Sequence, residues 1–345
     1  MKYLITGGCG FLGSNIGAEI LRRGGQLAIL DNLSRRGSAD NLQWLQERGD
    51  FKYLGADIRC AEAVAAFVEE CQPDIIFHLA GQVAMTTSIR DPRLDFEVNL
   101  LGSLNILEAL RLRCASAVAI YSSTNKVYGD LEHLHYEEHD RRYSLRDYPR
   151  GLPETIGLDF QSPYGCSKGG ADQYFLDYAR VYGLSTVVFR HSSMYGGRQF
   201  STVDQGWIGW FCEQAMLQSR GGKNEFTVSG NGKQVRDVLH GEDMVDLYLA
   251  AADSAARMNG QVFNVGGGME NSLSILELLE ALSEMLRTRL AWRHIAARES
   301  DQRVFVADLS RVKAATGWSP RVNTREGLRR MLAWVGSRLP EGAHP

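Results

Sequence analysis

Along the first half of the chain, apolar runs four or five residues long alternate with longer stretches in which apolar residues recur every three or four positions. Tyr3-Leu4-Ile5-Thr6 reads as a buried strand ending at Gly7. A helix is predicted from about Ser14 to Arg23, and Leu27-Ala28-Ile29-Leu30 reads as the next strand. Ile75-Ile76-Phe77-His78-Leu79, Ala117-Val118-Ala119-Ile120-Tyr121 and Thr186-Val187-Val188-Phe189-Arg190 predict further strands, with helical periodicity around 61–70, 92–113 and 166–182. Strands this apolar, separated by helices, build an α/β fold: a doubly wound, mostly parallel sheet covered on both faces. After about residue 190 the pattern loosens. Glycine-rich turns at 196–197, 221–222 and 230–232 surround shorter elements, Phe263-Asn264-Val265-Gly266 reads as one more strand, and an apolar helix follows at 273–288. The expectation is a large domain over residues 1–190 that carries the catalytic residues. A smaller C-terminal lobe is expected mainly from 191–345, with some segments returning to the large domain.

The 345 residues carry a net charge of −3, which gives no long-range attraction to nucleic acid or to an anionic membrane. No apolar stretch approaches the ~20 residues needed to cross a bilayer, and Met1-Lys2 runs directly into the first strand, so no signal peptide is expected. Six cysteines at 9, 60, 71, 114, 166 and 212 match neither a disulfide framework nor a zinc site. Free thiols in a reducing cytoplasm are the expectation, with no metal. His78, His191 and His240 show no ligand spacing.

Gly7-Gly8-Cys9-Gly10-Phe11-Leu12-Gly13 places glycines at 7, 10 and 13 between the first strand and the first helix. Gly7 permits a tight exit from the strand, Gly10 lets a pyrophosphate approach the backbone, and Gly13 lets helix and sheet pack closely. With Asp31 at the end of the second strand, this is the pattern of a Rossmann-type dinucleotide site. Asp31 is placed to accept from the adenosine ribose and would repel an added 2′-phosphate, which favours NAD. Arg35 and Arg36 pull the other way, since either can neutralise such a phosphate. Asp57-Ile58 is placed to meet the adenine, with a helix cap before 61–70 as the alternative for Asp57. Leu79-Ala80-Gly81 ends another strand nearby.

Tyr164 and Lys168 lie four residues apart in a helical stretch and so share one face. An ammonium there favours the phenolate of Tyr164, a base for taking a proton from a sugar hydroxyl. Thr124 ends the Tyr121-Ser122-Ser123-Thr124 strand and can donate to the same sugar oxygen.

Together these stretches, with Val127-Tyr128-Gly129, resemble the extended short-chain dehydrogenase/reductases of the nucleotide-sugar epimerase and dehydratase group, over almost the full length. The resemblance implies catalytic roles for Thr124, Tyr164 and Lys168. It implies NAD contacts from Gly7, Gly10, Phe11, Leu12, Gly13, Asp31, Asn32, Ser34, Arg35, Asp57, Ile58, Leu79, Ala80, Gln82, Asn99 and Ser122, joined by Tyr164 and Lys168. It also implies substrate contacts from Thr124, Asn125, His191, Ser193, Arg198, Gln199, Arg236, Arg298 and Asp301. For His191 a purely structural role is an equal reading. Trp207, Trp210 and Phe211 repeat as on a helix face, bordering the base or, preferably, packing the lobe. Family members pair through helices, so a homo-oligomer, dimer or tetramer, is expected.

Within the group, the segments 80–88, 122–126, 189–199 and 298–303 resemble the branch that epimerises a CDP-linked 3,6-dideoxyhexose at C2 for bacterial O-antigen. Dehydratases of the group place Asp-Glu after the catalytic threonine, whereas this chain has Asn125-Lys126, and a lysine cannot be that acid. Common 4-epimerases carry asparagine-rich sequence where this chain has His191-Ser192-Ser193. Oxidation at C4 would not acidify the hydrogen at C2, so a C2 epimerase is served by oxidising C2 itself. Two rivals stay open: a nucleotide-sugar 4-epimerase of the same family, and a non-catalytic NAD-sensing protein.

Overall fold

Seven parallel strands form the central sheet, in the spatial order Gln261–Val265, Ser185–His191, Val118–Thr124, Ile75–His78, Lys2–Thr6, Gln26–Leu30 and Lys52–Leu54. The computed structural model describes residues 1–222, 225–297 and 301–339. In chain order the elements are β1 (Lys2–Thr6), α1 (Phe11–Arg22), β2 (Gln26–Leu30), α2 (Ser38–Gln46), β3 (Lys52–Leu54), α3 (Ala61–Cys71) and β4 (Ile75–His78). Next come α4 (Met85–Arg90), α5 (Pro92–Phe96), a π-helical turn at Glu97–Leu101 that runs into α6 (Gly102–Arg113), β5 (Val118–Thr124), and the hairpin β6 (Tyr136–Glu138) and β7 (Tyr143–Leu145). These are followed by α7 (Ser162–Tyr182), β8 (Ser185–His191), β9 (Ser193–Tyr195), α8 (Trp207–Ser219), β10 (Phe226–Ser229), β11 (Val235–His240), α9 (Gly241–Asp253), α10 (Ala255–Met258) and β12 (Gln261–Val265). The chain ends with β13 (Ser272–Ser274), α11 (Ile275–Leu286), β14 (Trp292–Ile295), β15 (Val304–Phe305), α12 (Ser310–Thr316) and α13 (Thr324–Gly336).

From β1 the sheet is built outward in both directions, so its topological switch lies between β1 and β4. Open sheets bind ligands at the carboxyl ends beside such a switch. One apolar layer, including Ile16, Ile29, Phe189 and Tyr248, lies between the sheet and α1 and α9. The other, including Val64, Ile106, Tyr121 and Phe175, lies under α3, α6 and α7. The predicted strands are present. Helix α1 begins at Phe11, three residues before the expected start, because Gly10 is extended (φ −73°, ψ 177°) and Gly13 already sits in the first helical turn.

Residues beyond 190 divide between two places. β12, α9 and α12 belong to the large sheet and its cover, while β9, β11, β13 and β15 form a four-stranded sheet of their own. Helices α8, α11 and α13 bury Ile208, Phe211, Leu278, Leu282, Leu328 and Met331 beside that small sheet. Helices α9 and α13 carry no aromatic or glycine signature that the sequence reading singled out. Each starts on a side-chain cap: His240 accepts from the Glu242 amide and Asn323 from the Glu326 amide.

Candidate active site

A cleft of about 480 Å³ opens at the switch point, lined by the glycine turn, the ends of β2 and β4, Ser122, and Arg198, Gln199, Phe200 and Gln205 from across the cleft. Gly7 has φ +71°, and a Cβ there would lie 2.7 Å from the Ala80 amide nitrogen. A Cβ on Gly13 would lie 2.4 Å from the Gly7 carbonyl. On Gly10 it would meet only that carbonyl, at 3.2 Å, so the approach above Gly10 is open. The first amides of α1 have no partner within the helix and face this opening. Asp31 is buried, its two oxygens accepting from the Cys9 amide (2.9 Å) and the Leu33 amide (2.8 Å). Each oxygen keeps a lone pair for a ribose hydroxyl. Asn41, which the sequence reading passed over, donates to the Cys9 carbonyl at 3.0 Å and so braces the glycine turn. A Gly-rich cradle, a helix N-terminus and a carboxylate at the β2 end fit a dinucleotide.

Phe11, Leu12, Asn32, Ser34, Arg35, Asp57, Ile58, Leu79, Ala80, Gln82 and Ser122 also line the cleft. Asp57 does not cap α3, whose N-cap is Cys60. Its carboxylate instead accepts from Asn32 (2.9 Å) and from Arg59, which is also its ion-pair partner (3.0 Å). Asn99 departs from expectation. It is buried behind the cleft wall, where its amide joins both backbone groups of Gln82 to Asp95 and to Ser167 on α7. Arg198 and Gln199, assigned above to the substrate, line the cofactor cleft. Arg198 donates to the Asn41 side chain at 2.8 Å and lies over Trp44, Phe200 and Trp334.

Tyr164 and Lys168 both rise from the first turns of α7, but the expected partnership differs. Lys168 is buried, donates to the Ser122 carbonyl at 2.5 Å, and sits 4.4 Å above the Tyr121 ring. Burial pushes its ammonium down to about 7, while Asp95 and Asp172 pull it upward. The Tyr164 phenol is pushed up to about 12 by burial; the Thr124 hydroxyl and the Arg35 guanidinium oppose that rise, and Asp95 adds to it. Thr124 and Arg35 are thus groups that favour the phenolate, while the Lys168 ammonium is engaged by the Ser122 carbonyl. Arg35 lines the cleft, and its charge acts on Tyr164. The helical spacing gave the shared face correctly; it did not reveal the competing carbonyl at the end of β5.

Beneath these groups lies a buried polar web. Ser123 donates to Asp172 (2.8 Å), which holds Arg190 through two bonds of 2.9 and 2.8 Å, and Arg190 reaches the Tyr128 hydroxyl at 3.0 Å. Asp172 was readable in principle, since it follows Lys168 by one helical turn. His191 turns into the core, where its Nε2 hydrogen-bonds the Tyr248 hydroxyl at 2.9 Å while Nδ1 has no partner. Burial, with Lys168 nearby, lowers its pKa to about 3, so the ring is neutral.

On the far side, Arg236 pairs with Asp301 at 2.6 Å and Lys126 lies 3.6 Å from the same carboxylate. Ser193 accepts from the Trp207 indole at 3.0 Å, and Trp210 and Phe211 pack against Phe226 in the lobe. Asn125 faces Gln302. Arg298 lies outside the described residues. No three His, Cys, Asp or Glu side chains are placed to hold a metal ion among the described residues. Nor is any helix among them long and apolar enough to cross a membrane.

A family model described as GDP-mannose 4,6 dehydratase matches residues 4–331. The chain is 54% identical over 337 residues to the CDP-paratose 2-epimerase of Salmonella typhi, covering 98% of this chain and 100% of the relative. It is 31% identical to the UDP-glucose 4-epimerase of Mycolicibacterium smegmatis, covering 98% and 99%. The Thermus thermophilus UDP-glucose 4-epimerase, solved in complex with NAD, superposes with a TM-score of 0.80 at 28% identity, covering 98% and 100%. Pal from Bacillus thuringiensis superposes with a TM-score of 0.83 at 28% identity, covering 98% and 99%. With the glycine cradle and the two-lobed architecture in place, the chain belongs to the GDP-mannose 4,6 dehydratase family, in the nucleotide-sugar epimerase and dehydratase group of the extended short-chain dehydrogenases/reductases.

Proposed function

We propose that this protein converts CDP-paratose to CDP-tyvelose by NAD-dependent epimerisation at C2 of the sugar. The observation that carries the reading is 54% identity to a CDP-paratose 2-epimerase across both whole chains, in a protein whose Thr124 hydroxyl favours the phenolate of Tyr164 beside a dinucleotide cleft. Lys126, where dehydratases of the group carry an acid, supports epimerisation over dehydration.

NAD, when bound, would accept hydride from C2 and return it to the opposite face of the resulting ketone. Gly7, Gly10 and Gly13 would hold its pyrophosphate against α1, and Asp31 its adenosine ribose. Tyr164 takes the proton from the C2 hydroxyl and later returns it, while Thr124 donates to the same oxygen and fixes its position. Lys168, anchored on the Ser122 carbonyl, would bind the nicotinamide ribose. Arg236 and Arg298 would hold the diphosphate, their planar forks matching phosphate oxygens, with Asp301 orienting Arg236. Holding the CDP portion firmly leaves the hexose free to turn over between the two hydride transfers.

In this reading residues 1–190 carry the chemistry and most of the cofactor site, and the lobe built mainly from 191–345 binds the nucleotide sugar. Six free cysteines suit work in a reducing cytoplasm. Ile89, Leu101, Leu112, Tyr174, Val181 and Tyr182 are exposed along α4, the π-helical turn, α6 and α7, which supports pairing of two copies through these helices; light scattering of the purified protein measures it.

Incubation with C2-deuterated CDP-paratose tests the chemistry. Deuterium retained at C2 of CDP-tyvelose is the expected result, and full exchange with solvent would rule out direct return of the hydride. Parallel assay of UDP-glucose separates the C2 reaction from 4-epimerisation.

A further inference from the structure

Gln302 stands between the catalytic turn and the small lobe. It is fully buried, and both ends of its amide are used. Its Nε2 donates to the backbone carbonyls of Asn125 (3.2 Å) and Gly129 (2.7 Å), which bracket the turn Asn125–Tyr128 that follows Thr124. Its Oε1 accepts from Asn125 Nδ2 at 2.7 Å. The Gln302 backbone carbonyl accepts in turn from Arg236 at 2.7 Å, and the preceding residue, Asp301, is the carboxylate that Arg236 and Lys126 share.

These bonds have only one consistent polarity. Backbone carbonyls cannot donate, so the Gln302 amide must present Nε2 to Asn125 and Gly129 and Oε1 to the Asn125 side chain. Asn125 must therefore turn Nδ2 toward Gln302, and its Oδ1 is left facing the Thr124 hydroxyl at 3.4 Å. Thr124 Oγ1 already accepts from the Lys126 amide at 3.2 Å. An acceptor rather than a second donor beside Oγ1 leaves that oxygen one open lone pair. It also leaves a hydrogen free to swing from Asn125 to the phenolate or to the sugar oxygen.

We propose that Gln302 is a positioning residue, which through Asn125 fixes the polarity around the Thr124 hydroxyl and ties that hydroxyl to the Arg236–Asp301 end of the substrate site. The inference rests on the reading of Thr124 as the donor to the reacting oxygen. It also assigns a role to Asn125, where dehydratases of the group carry aspartate. A carboxylate there would confront the Gln302 Oε1, which cannot turn away without forfeiting two carbonyl partners.

The test uses full-length Asn125→Asp, Gln302→Leu and the double variant, assayed with CDP-paratose. Retained NAD per chain and the thermal midpoint are measured on the same preparations. Each single variant is expected to lower kcat about 10- to 100-fold, with KM and NAD content close to those of the unaltered protein. The double variant should lose no more than the poorer single, because Gln302→Leu removes the oxygen that Asn125→Asp confronts. Should Gln302→Leu fail to fold, Asn125→Asp, which keeps shape, decides the matter through its kcat. Unchanged kcat in Asn125→Asp, a rise in KM in place of a fall in kcat, or losses that multiply in the double variant would each overturn the relay. An unaltered protein that leaves CDP-paratose untouched would instead overturn the proposed substrate. The relay is then read from the transient absorbance at 340 nm with whichever nucleotide sugar that protein oxidises.

Discussion

Lys168 donates to the Ser122 carbonyl at 2.5 Å, so the ammonium is anchored to the end of the strand that carries Thr124 and not to the phenol of Tyr164. Tyr164 and Lys168 share a helix face, and Lys168 is held by β5. The strand end and the helix are thus tied together at Lys168, while the Arg35 guanidinium favours the Tyr164 phenolate.

Tyr164→Phe removes the proton acceptor while keeping the ring. It is expected to lower kcat by about 10²- to 10⁴-fold with cofactor binding retained. Steady-state assay and the mass of the bound nucleotide check this together.

Because burial raises the Tyr164 phenol to about 12, its ionised form is scarce at neutral pH, and kcat/KM should climb as pH rises. Arg35→Ala removes a charge that favours the phenolate, so the acid limb should move to higher pH, and Arg35→Lys should largely restore it. Profiles of kcat/KM between pH 5.5 and 9.5 measure the displacement.

Gly13→Ala would place a methyl group 2.4 Å from the Gly7 carbonyl, and both atoms belong to the tight turn beneath the pyrophosphate position. Neither backbone can retreat without opening the cradle. NAD affinity is expected to fall about tenfold or more, read by titration of the cofactor-stripped protein.

Arg190 and Asp172 form a buried ion pair at 2.8 Å under the active site. Arg190→Met leaves the Asp172 carboxylate without its cation and should cost about 3–5 kcal/mol of stability. Urea unfolding at pH 7 provides the measurement. Asp172→Asn, which keeps the bond from Ser123 possible, should cost less.

Asp237 is wholly buried on β11, with one oxygen accepting from the Gly268 and Ala307 amides and the other unpartnered. Burial raises its pKa from 3.8 to about 6, against the pull of Ser192 and those amides. A raised carboxyl favours folding below about pH 4, and that contribution is lost as pH climbs to about 6. Subtracting the pH–stability curve of Asp237→Asn from that of the unaltered protein should reveal a loss confined to this window. A flat difference would show that Asp237 does not titrate there.

The sheet, its parallel order of apolar strands, the glycine turn and the Thr124, Tyr164 and Lys168 positions were legible in the residues because each is a local pattern. A strand buried on both faces reads as an apolar run, a tight turn reads as glycine, and a helix face repeats every three or four residues. Partners drawn from distant segments were not legible. The Ser122 carbonyl under Lys168, Arg35 opposite Tyr164, Asn41 behind the glycine turn and Gln302 behind Asn125 all depend on how segments far apart in the chain come together. Burial likewise set the charges of Tyr164, Lys168 and His191, since desolvation is a property of the packed interior and not of neighbours along the chain. By itself the sequence determined the strands of the central sheet, the glycine turn and the shared helix face of Tyr164 and Lys168. The tertiary structure alone decided which partners those side chains meet and how far from water they stand, because hydrogen bonds and dielectric depend on distance in space.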